Sequence, residues 1–163
     1  MKISFHLDGD EITVDATPDR RLIDILREDL SRTAAKKACA IGRCGACMVL
    51  VDGTAMNACL LMAWQLDGRA VITPEGLGAV PEAGFVRQGL IEENAFQCGY
   101  CAPGFSVTLT ALLLQDPGPD EDAIRAALSG NLCRCTGYHS ILRGALRAVQ
   151  LRAEEARESR TPA

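Results

Sequence analysis

Eight of the 163 residues are cysteines, and they divide into two groups of four. The first is Cys39, Cys44 and Cys47, followed by Cys59 after eleven intervening residues; the second is Cys98 and Cys101, then Cys133 and Cys135 after a gap of 31. Thiolates are soft ligands, and four of them complete either an iron–sulfur site or a zinc site. A C-x2-C pair can also act as a redox dithiol, but that reading leaves the C-x-C pair unused. No other constellation offers chemistry: G-x-G-x-x-G, a P-loop, a Ser-His-Asp set and H-E-x-x-H are all missing from the sequence. His6 and His139 are the only histidines. Eight cysteines already fill eight ligand places, which disfavours a mixed His/Cys cluster.

The spacing narrows the choice. C-x4-C-x2-C is the opening by which plant-type ferredoxins hold a [2Fe-2S] cluster. Gly42 and Gly45 stand between the three cysteines, where glycine lets a loop turn tightly and leave its amides facing sulfur. A C-x-C pair is awkward for a zinc knuckle, and a structural zinc would not explain the ferredoxin spacing of the other quartet. Two [2Fe-2S] clusters are therefore the expectation, with zinc in at least one site as the alternative. Each oxidised cluster with four thiolates carries about −2, so the formal charge of −4 would become about −8. Partly buried negative charge needs hydrogen bonds or cations, and Lys36, Lys37, Arg43 and Arg134 are the cations nearest in sequence.

These ligands need a scaffold. Residues 2–7 and 11–15 flank Asp8-Gly9-Asp10 as a β-hairpin. Leu22, Ile23, Ile25, Leu26 and Leu30 form a helical stripe. Met48, Leu50 and Ala55 around Asp52-Gly53 predict a second hairpin behind the cysteine loop, and residues 70–73 a closing strand. The sum is a small mixed sheet crossed by one helix. Pro74, Gly76, Gly78, Pro81 and Gly84 read as a flexible or extended connector. Beyond it four helices are expected, around 85–96, 105–113, 123–128 and 141–149, with Asp120 as an N-cap. Cys98 and Cys101 then fall between the first two helices, and Cys133 and Cys135 between the last two, so that two turns placed together would close one cluster. Tyr100 and Tyr138 read as packing residues of these turns, and Trp64 and Phe85 as core or subunit-interface aromatics.

Composition sets the limits. With 17 basic and 21 acidic residues and no basic run, nucleic acid is a poor partner. A 48% hydrophobic content excludes wholesale disorder, while the apolar stretches near 60–64 and 109–114 are too short for a transmembrane segment. No secretory signal is visible at the N-terminus. The cytoplasm is the expected compartment, where cysteines more often hold metal than form disulfides.

Three stretches carry a resemblance. Lys37-Ala38-Cys39-Ala40-Ile41-Gly42-Arg43-Cys44-Gly45-Ala46-Cys47, Gln97-Cys98-Gly99-Tyr100-Cys101-Ala102-Pro103-Gly104 and the run from Gly130 through Cys133-Arg134-Cys135 to Tyr138 closely resemble the small iron–sulfur subunit of molybdenum hydroxylases, the xanthine dehydrogenase and aldehyde oxidase family. Departures are Ala38, where that family usually has glycine, and Glu82-Ala83-Gly84-Phe85, where a His-Pro-Leu-Gln stretch is common. Neither removes a ligand. The resemblance implies an α+β chain: an N-terminal plant-ferredoxin-like β-grasp domain (1–76), a connector (77–84) and a C-terminal four-helix [2Fe-2S]-binding domain (85–150). Residues 151–163 lie outside it and read as a polar tail. It also implies partners, a large subunit with the molybdenum-pterin cofactor and a medium subunit with FAD, in an assembly that can be a dimer of heterotrimers. Such a complex hydroxylates a heteroaromatic ring or an aldehyde with water as oxygen source. Electrons would pass from molybdenum through the C-terminal cluster, then the N-terminal one, to FAD and a final acceptor. Gln97 matches the family glutamine that hydrogen-bonds the pterin; without the resemblance it reads as a local cap or exposed polar residue.

Two other functions fit the same cysteines. A free-standing ferredoxin-like carrier would be a stable monomer serving several enzymes, and a zinc-stabilised interaction module would be colourless.

Overall fold

The computed structural model describes residues 1–159. Strands β1 (Lys2–Leu7) and β2 (Asp10–Asp15) pair antiparallel with Leu7 opposite Asp10. Asp8 and Gly9 both take positive φ at the turn, as a two-residue hairpin requires. β3 (Met48–Val51) and β4 (Thr54–Asn57) repeat the device around Asp52-Gly53. β5 (Ala70–Ile72) runs parallel to β1 and antiparallel to β3, giving the order β2-β1-β5-β3-β4. The strand expected to close the sheet is thus its centre, because it supplies the edge that each hairpin lacks.

Ile3, Phe5 and Leu7 alternate inward from β1. They meet α1 (Leu22–Asp24), which continues as a π-helical turn through Asp29 and buries Leu22, Ile23, Ile25 and Leu26 completely. All four residues of β3 are buried, which alternation alone does not explain. Val49 and Val51 face that core, while Met48 and Leu50 pack on the other side against Val107 and Ala111. The helical region therefore covers the second face of the sheet.

That region comprises α2 (Pro81–Glu92), α3 (Ala102–Gln115), α4 (Glu121–Ala127) and α5 (His139–Glu158). Phe105, Leu109, Leu113, Ile124 and Ile141 form its centre. Asp120 caps α4 by accepting from the Ala123 amide at 2.8 Å. Two boundaries differ from expectation. α2 begins at Pro81, because proline at the first helical position loses no hydrogen bond. α5 continues through Glu158, where polar tail was expected, since Arg152 donates to the Leu113 carbonyl at 3.0 Å and contacts Glu82. The last four residues of that expected tail, 160–163, lie outside the described residues.

The proline- and glycine-rich stretch before α2 is fastened instead of flexible. Asp8 accepts from the Thr73 amide at 2.7 Å and from its hydroxyl at 2.8 Å. Glu75 accepts from the Ala34 amide at 2.9 Å, and Gly76–Ala79 form a 3-10 turn that buries Leu77. Among the described residues no helix is long and apolar enough to cross a membrane.

Candidate metal centres

The loop from Cys39 to Cys47 turns through three positive-φ residues, Ala40, Gly42 and Gly45. This backbone aims amides at sulfur. The Ile41 and Arg43 N–H groups donate to Cys39 Sγ at 3.5 and 3.3 Å, and the Gly42 N–H donates to Cys59 Sγ at 3.3 Å. Gly42 sits at φ +76°, a left-handed conformation that favours glycine, with the exposed Leu60 side chain against it. Cys59 follows β4 and is buried with Cys47, whereas Cys39 and Cys44 are half-buried at the rim.

The electrostatics divide the same way. Desolvation opposes ionisation of Cys39, but the amides of Ile41 and Arg43 and the neighbouring Cys44 thiol outweigh it, bringing Cys39 down to about 6. Burial, together with the adjoining Cys59, pushes Cys47 up to about 12. The loop amides thus favour the charged form of the rim thiol, while burial disfavours it at the inner one.

The second quartet is assembled from remote segments. Cys98 and Cys101 lie between α2 and α3, Cys133 and Cys135 between α4 and α5. Cys98 Sγ stands 3.5 Å from Cys135 Sγ, both exposed, and Cys101 interacts with Cys133 further in. Desolvation is outweighed at Cys133 by the Thr136 hydroxyl, 3.1 Å away, and by nearby amides, so its thiol is lowered. Burial and the Cys133 neighbour push Cys101 up to about 12. Tyr138 closes the turn: its hydroxyl accepts from the Cys133 amide at 3.0 Å, and its ring packs on Phe105.

In both quartets the sulfurs lie near one another: Cys98 and Cys135 stand 3.5 Å apart, Cys39 feels Cys44, Cys47 feels Cys59 and Cys44, and Cys101 feels Cys133 and Cys98. Four thiolates serving two irons have this arrangement, so the donor set fits a [2Fe-2S] cluster at each place. Among the described residues no three His, Cys, Asp or Glu side chains converge on a single metal ion position.

Two of the four cations expected near the sulfurs are engaged elsewhere. Lys37 pairs with Asp24 at 2.6 Å; Lys36 donates to the Thr33 carbonyl and lies 6.0 Å from the Tyr100 ring centre. Arg43 and Arg134 are exposed. Backbone amides, which cost no side-chain entropy to order, do the neutralising at the first quartet.

Gln97 is exposed beside Cys98 and caps no helix, since α2 ends at Glu92. Trp64 is also exposed, while Phe85 packs partly into the helical core. Exposed apolar side chains ring both quartets: Ile41 and Leu60 at the first, Tyr100 and Leu132 at the second. Sequence reasoning missed Asn131 and Thr108, a buried pair within the helical region whose Asn131 amide reaches across to the Gly45 carbonyl of the first cysteine loop at 3.4 Å. The available signal was the pair of threonines, Thr108 and Thr110, among the apolar residues of α3.

Comparison with known proteins agrees with this geometry. Residues 5–75 match the 2Fe-2S iron-sulfur cluster binding domain family, and residues 73–146 the [2Fe-2S] binding domain family. The chain is 45% identical to a probable xanthine dehydrogenase subunit of Bacillus subtilis, over 86% of this chain and 81% of that one. It is 41% identical to the nicotinate dehydrogenase small FeS subunit of Eubacterium barkeri, over 86% and 90%. Among solved structures, quinoline 2-oxidoreductase from Pseudomonas putida 86 superposes with a TM-score of 0.86 at 34% identity, over 94% of this chain and 96% of the matched chain.

Proposed function

This chain belongs to the family of small iron–sulfur subunits of molybdenum hydroxylases, the electron-transfer subunits of oxidoreductase complexes, and from that premise we propose which of its residues do the work. Cys39, Cys44, Cys47 and Cys59 hold one [2Fe-2S] cluster, and Cys98, Cys101, Cys133 and Cys135 hold the other. Each cluster supplies a one-electron carrier; the protein supplies position, hydrogen bonds and burial. Separate apolar clusters in the sheet region and among the helices support a division into residues 1–76 and 85–150 with 77–84 between them, the first turn of α2 falling in that joining stretch.

The observation that carries this reading is that three backbone amides donate to Cys39 and Cys59 in the first quartet, while Cys98 and Cys135, 37 positions apart in sequence, bring their sulfurs within 3.5 Å in the second. The exposed Cys98 and Cys135 pair, with Gln97 beside it, supports a contact with a large subunit holding the molybdenum-pterin cofactor. Gln97 then donates or accepts a hydrogen bond at the pterin. The first quartet, rimmed by exposed Ile41 and Leu60, faces a medium subunit with FAD. Electrons enter the chain at the C-terminal quartet and leave it at the N-terminal one. The complex is cytoplasmic, can double to a dimer of heterotrimers, and hydroxylates a heteroaromatic ring or an aldehyde. Relatives named for xanthine, nicotinate and quinoline support the first of these substrate classes.

Exposed apolar groups around both sites favour a subunit over a free carrier. Affinity purification of the tagged chain tests this. Co-purification of a molybdenum-containing chain and a flavin-containing chain is expected. A stable monomer that exchanges electrons with several enzymes would support the free-standing carrier instead.

A further inference from the structure

The two quartets are joined by a short backbone hydrogen bond. The Leu132 N–H donates to the Cys44 carbonyl at 2.9 Å. Cys44 is a ligand of the first quartet, and Leu132 directly precedes Cys133 of the second. A route of covalent bonds interrupted by one hydrogen bond therefore runs from sulfur to sulfur.

The neighbouring residues hold that hydrogen bond in place. Asn131 is 2% exposed, and both ends of its amide are used: Oδ1 accepts from the Thr108 hydroxyl at 3.0 Å, and Nδ2 donates to the Gly45 carbonyl at 3.4 Å. Thr108, 6% exposed, turns its hydroxyl across to Asn131, whereas Thr110, further along the same helix, bonds back to the Ser106 carbonyl. On the other side the Gly45 carbonyl lies against Gly104, where a Cβ would collide with it. A Cβ on Gly45 itself would stand 2.5 Å from Asn131 Nδ2 and 2.6 Å from the Gly130 carbonyl oxygen. The loop bearing Cys44 is thus clamped between α3 and the turn bearing Cys133. Leaving a buried amide or carbonyl of this clamp unpaired costs far more than the bond itself contributes.

We propose that Asn131 and Thr108 are positioning residues for electron transfer between the two metal sites: their buried pair keeps the Cys44 loop against the Cys133 turn and the Leu132 N–H on the Cys44 carbonyl. No bond forms or breaks in the step they serve. One electron leaves the reduced C-terminal site, which is oxidised, and the N-terminal site is reduced. Neither residue touches a sulfur, so each acts through the geometry of the joint. The inference rests on the assignment of the two quartets to [2Fe-2S] clusters.

The test compares Thr108→Val, which keeps the branched shape and deletes the donor, with Thr108→Ser, which keeps the donor, and with Asn131→Ala. All are made in the assembled complex. Four properties are read: iron content, amide exchange at Leu132, the magnetic splitting between the two reduced clusters, and the rate of electron redistribution between them after partial reduction. Thr108→Val and Asn131→Ala are expected to keep full iron, to expose the Leu132 amide to exchange, to diminish the splitting and to slow redistribution several-fold; Thr108→Ser is expected to behave as the natural chain. Equal behaviour of Thr108→Val and Thr108→Ser overturns the proposal, and so does loss of iron in Thr108→Val, which would make the pair a requirement of assembly. Absence of two clusters from the natural chain would overturn the underlying assignment as well, whereas full iron with an undisturbed Leu132 amide overturns the positioning role alone.

Discussion

Gly104, in the first turn of α3, packs directly against the first cysteine loop. A methyl group there would collide with the Gly45 carbonyl oxygen, with Gly45 C at 3.0 Å and the Ala46 Cα at 3.2 Å. These are backbone atoms, so the loop itself has to move. Overpacking of this kind costs about 1–3 kcal/mol. Displacing the loop also weakens the Leu132–Cys44 and Asn131–Gly45 hydrogen bonds, each worth about 1 kcal/mol. Against this stands the helix propensity of alanine over glycine, at most about 1 kcal/mol. Gly104→Ala should therefore lose about 2 kcal/mol net, a fall of about 4–8 °C in the unfolding midpoint for a chain of this size. Gly84→Ala is the matched control, because Gly84 lies in α2 with nothing within 4 Å of its added carbon. The same chemical change there should raise the midpoint or leave it alone. Thermal unfolding followed by cluster absorbance and circular dichroism, at one fixed scan rate because loss of iron is irreversible, measures both. A Gly104→Ala midpoint equal to or above that of Gly84→Ala would refute the close packing of α3 on the cysteine loop.

Cys44→Ser should damage the N-terminal cluster and block transfer to the flavin, while substrate still reduces the C-terminal cluster; Cys133→Ser should stop transfer at its entry and raise amide exchange in α3 and α5, because it ties two remote turns. Rapid-reaction spectra of the two variants check the order, and the opposite pattern would reverse it. Gln97→Ala should leave both clusters assembled and change the molybdenum spectrum or turnover of the complex; an unchanged spectrum, potential and turnover would remove Gln97 from that interface. Glu75 is partly desolvated, but the Ala34 amide, its own amide, the Thr73 hydroxyl and Arg32 hold its carboxyl below the usual range. Its stabilisation is therefore complete above the ordinary carboxylate pKa and is lost only as pH falls through the lowered folded value. Glu75→Gln should accordingly speed Ala34 amide exchange by a similar factor throughout neutral pH, with the difference closing only in acid; a difference that grows on acidification would contradict this.

The two cysteine quartets were visible as candidate ligand sets because thiolates announce themselves by type and spacing, and the hairpins were legible because Asp8-Gly9 and Asp52-Gly53 take positive φ. How the stretch before α2 is held was not legible, because proline and glycine density says nothing of the tertiary hydrogen bonds to Asp8 and Glu75 that fasten it. The end of α5 was hidden for a similar reason. Its last turns are charged, and what holds them, Arg152 on the Leu113 carbonyl, is a contact across 39 positions of sequence. The central place of β5 and the double burial of β3 depend on which partners the strands find, which local pattern does not encode. Asn131 and Gly45 meet across 86 positions, and only the folded chain reveals that the two quartets share a joint.

The most direct test of the two-cluster assignment is metal and sulfide analysis of the purified chain, read with electron paramagnetic resonance of its fully reduced form. Two [2Fe-2S] sites predict about four iron and four labile sulfides per chain, in two spectroscopically distinct centres. Stoichiometric zinc, or a single iron–sulfur signal with about half that iron, would contradict the account.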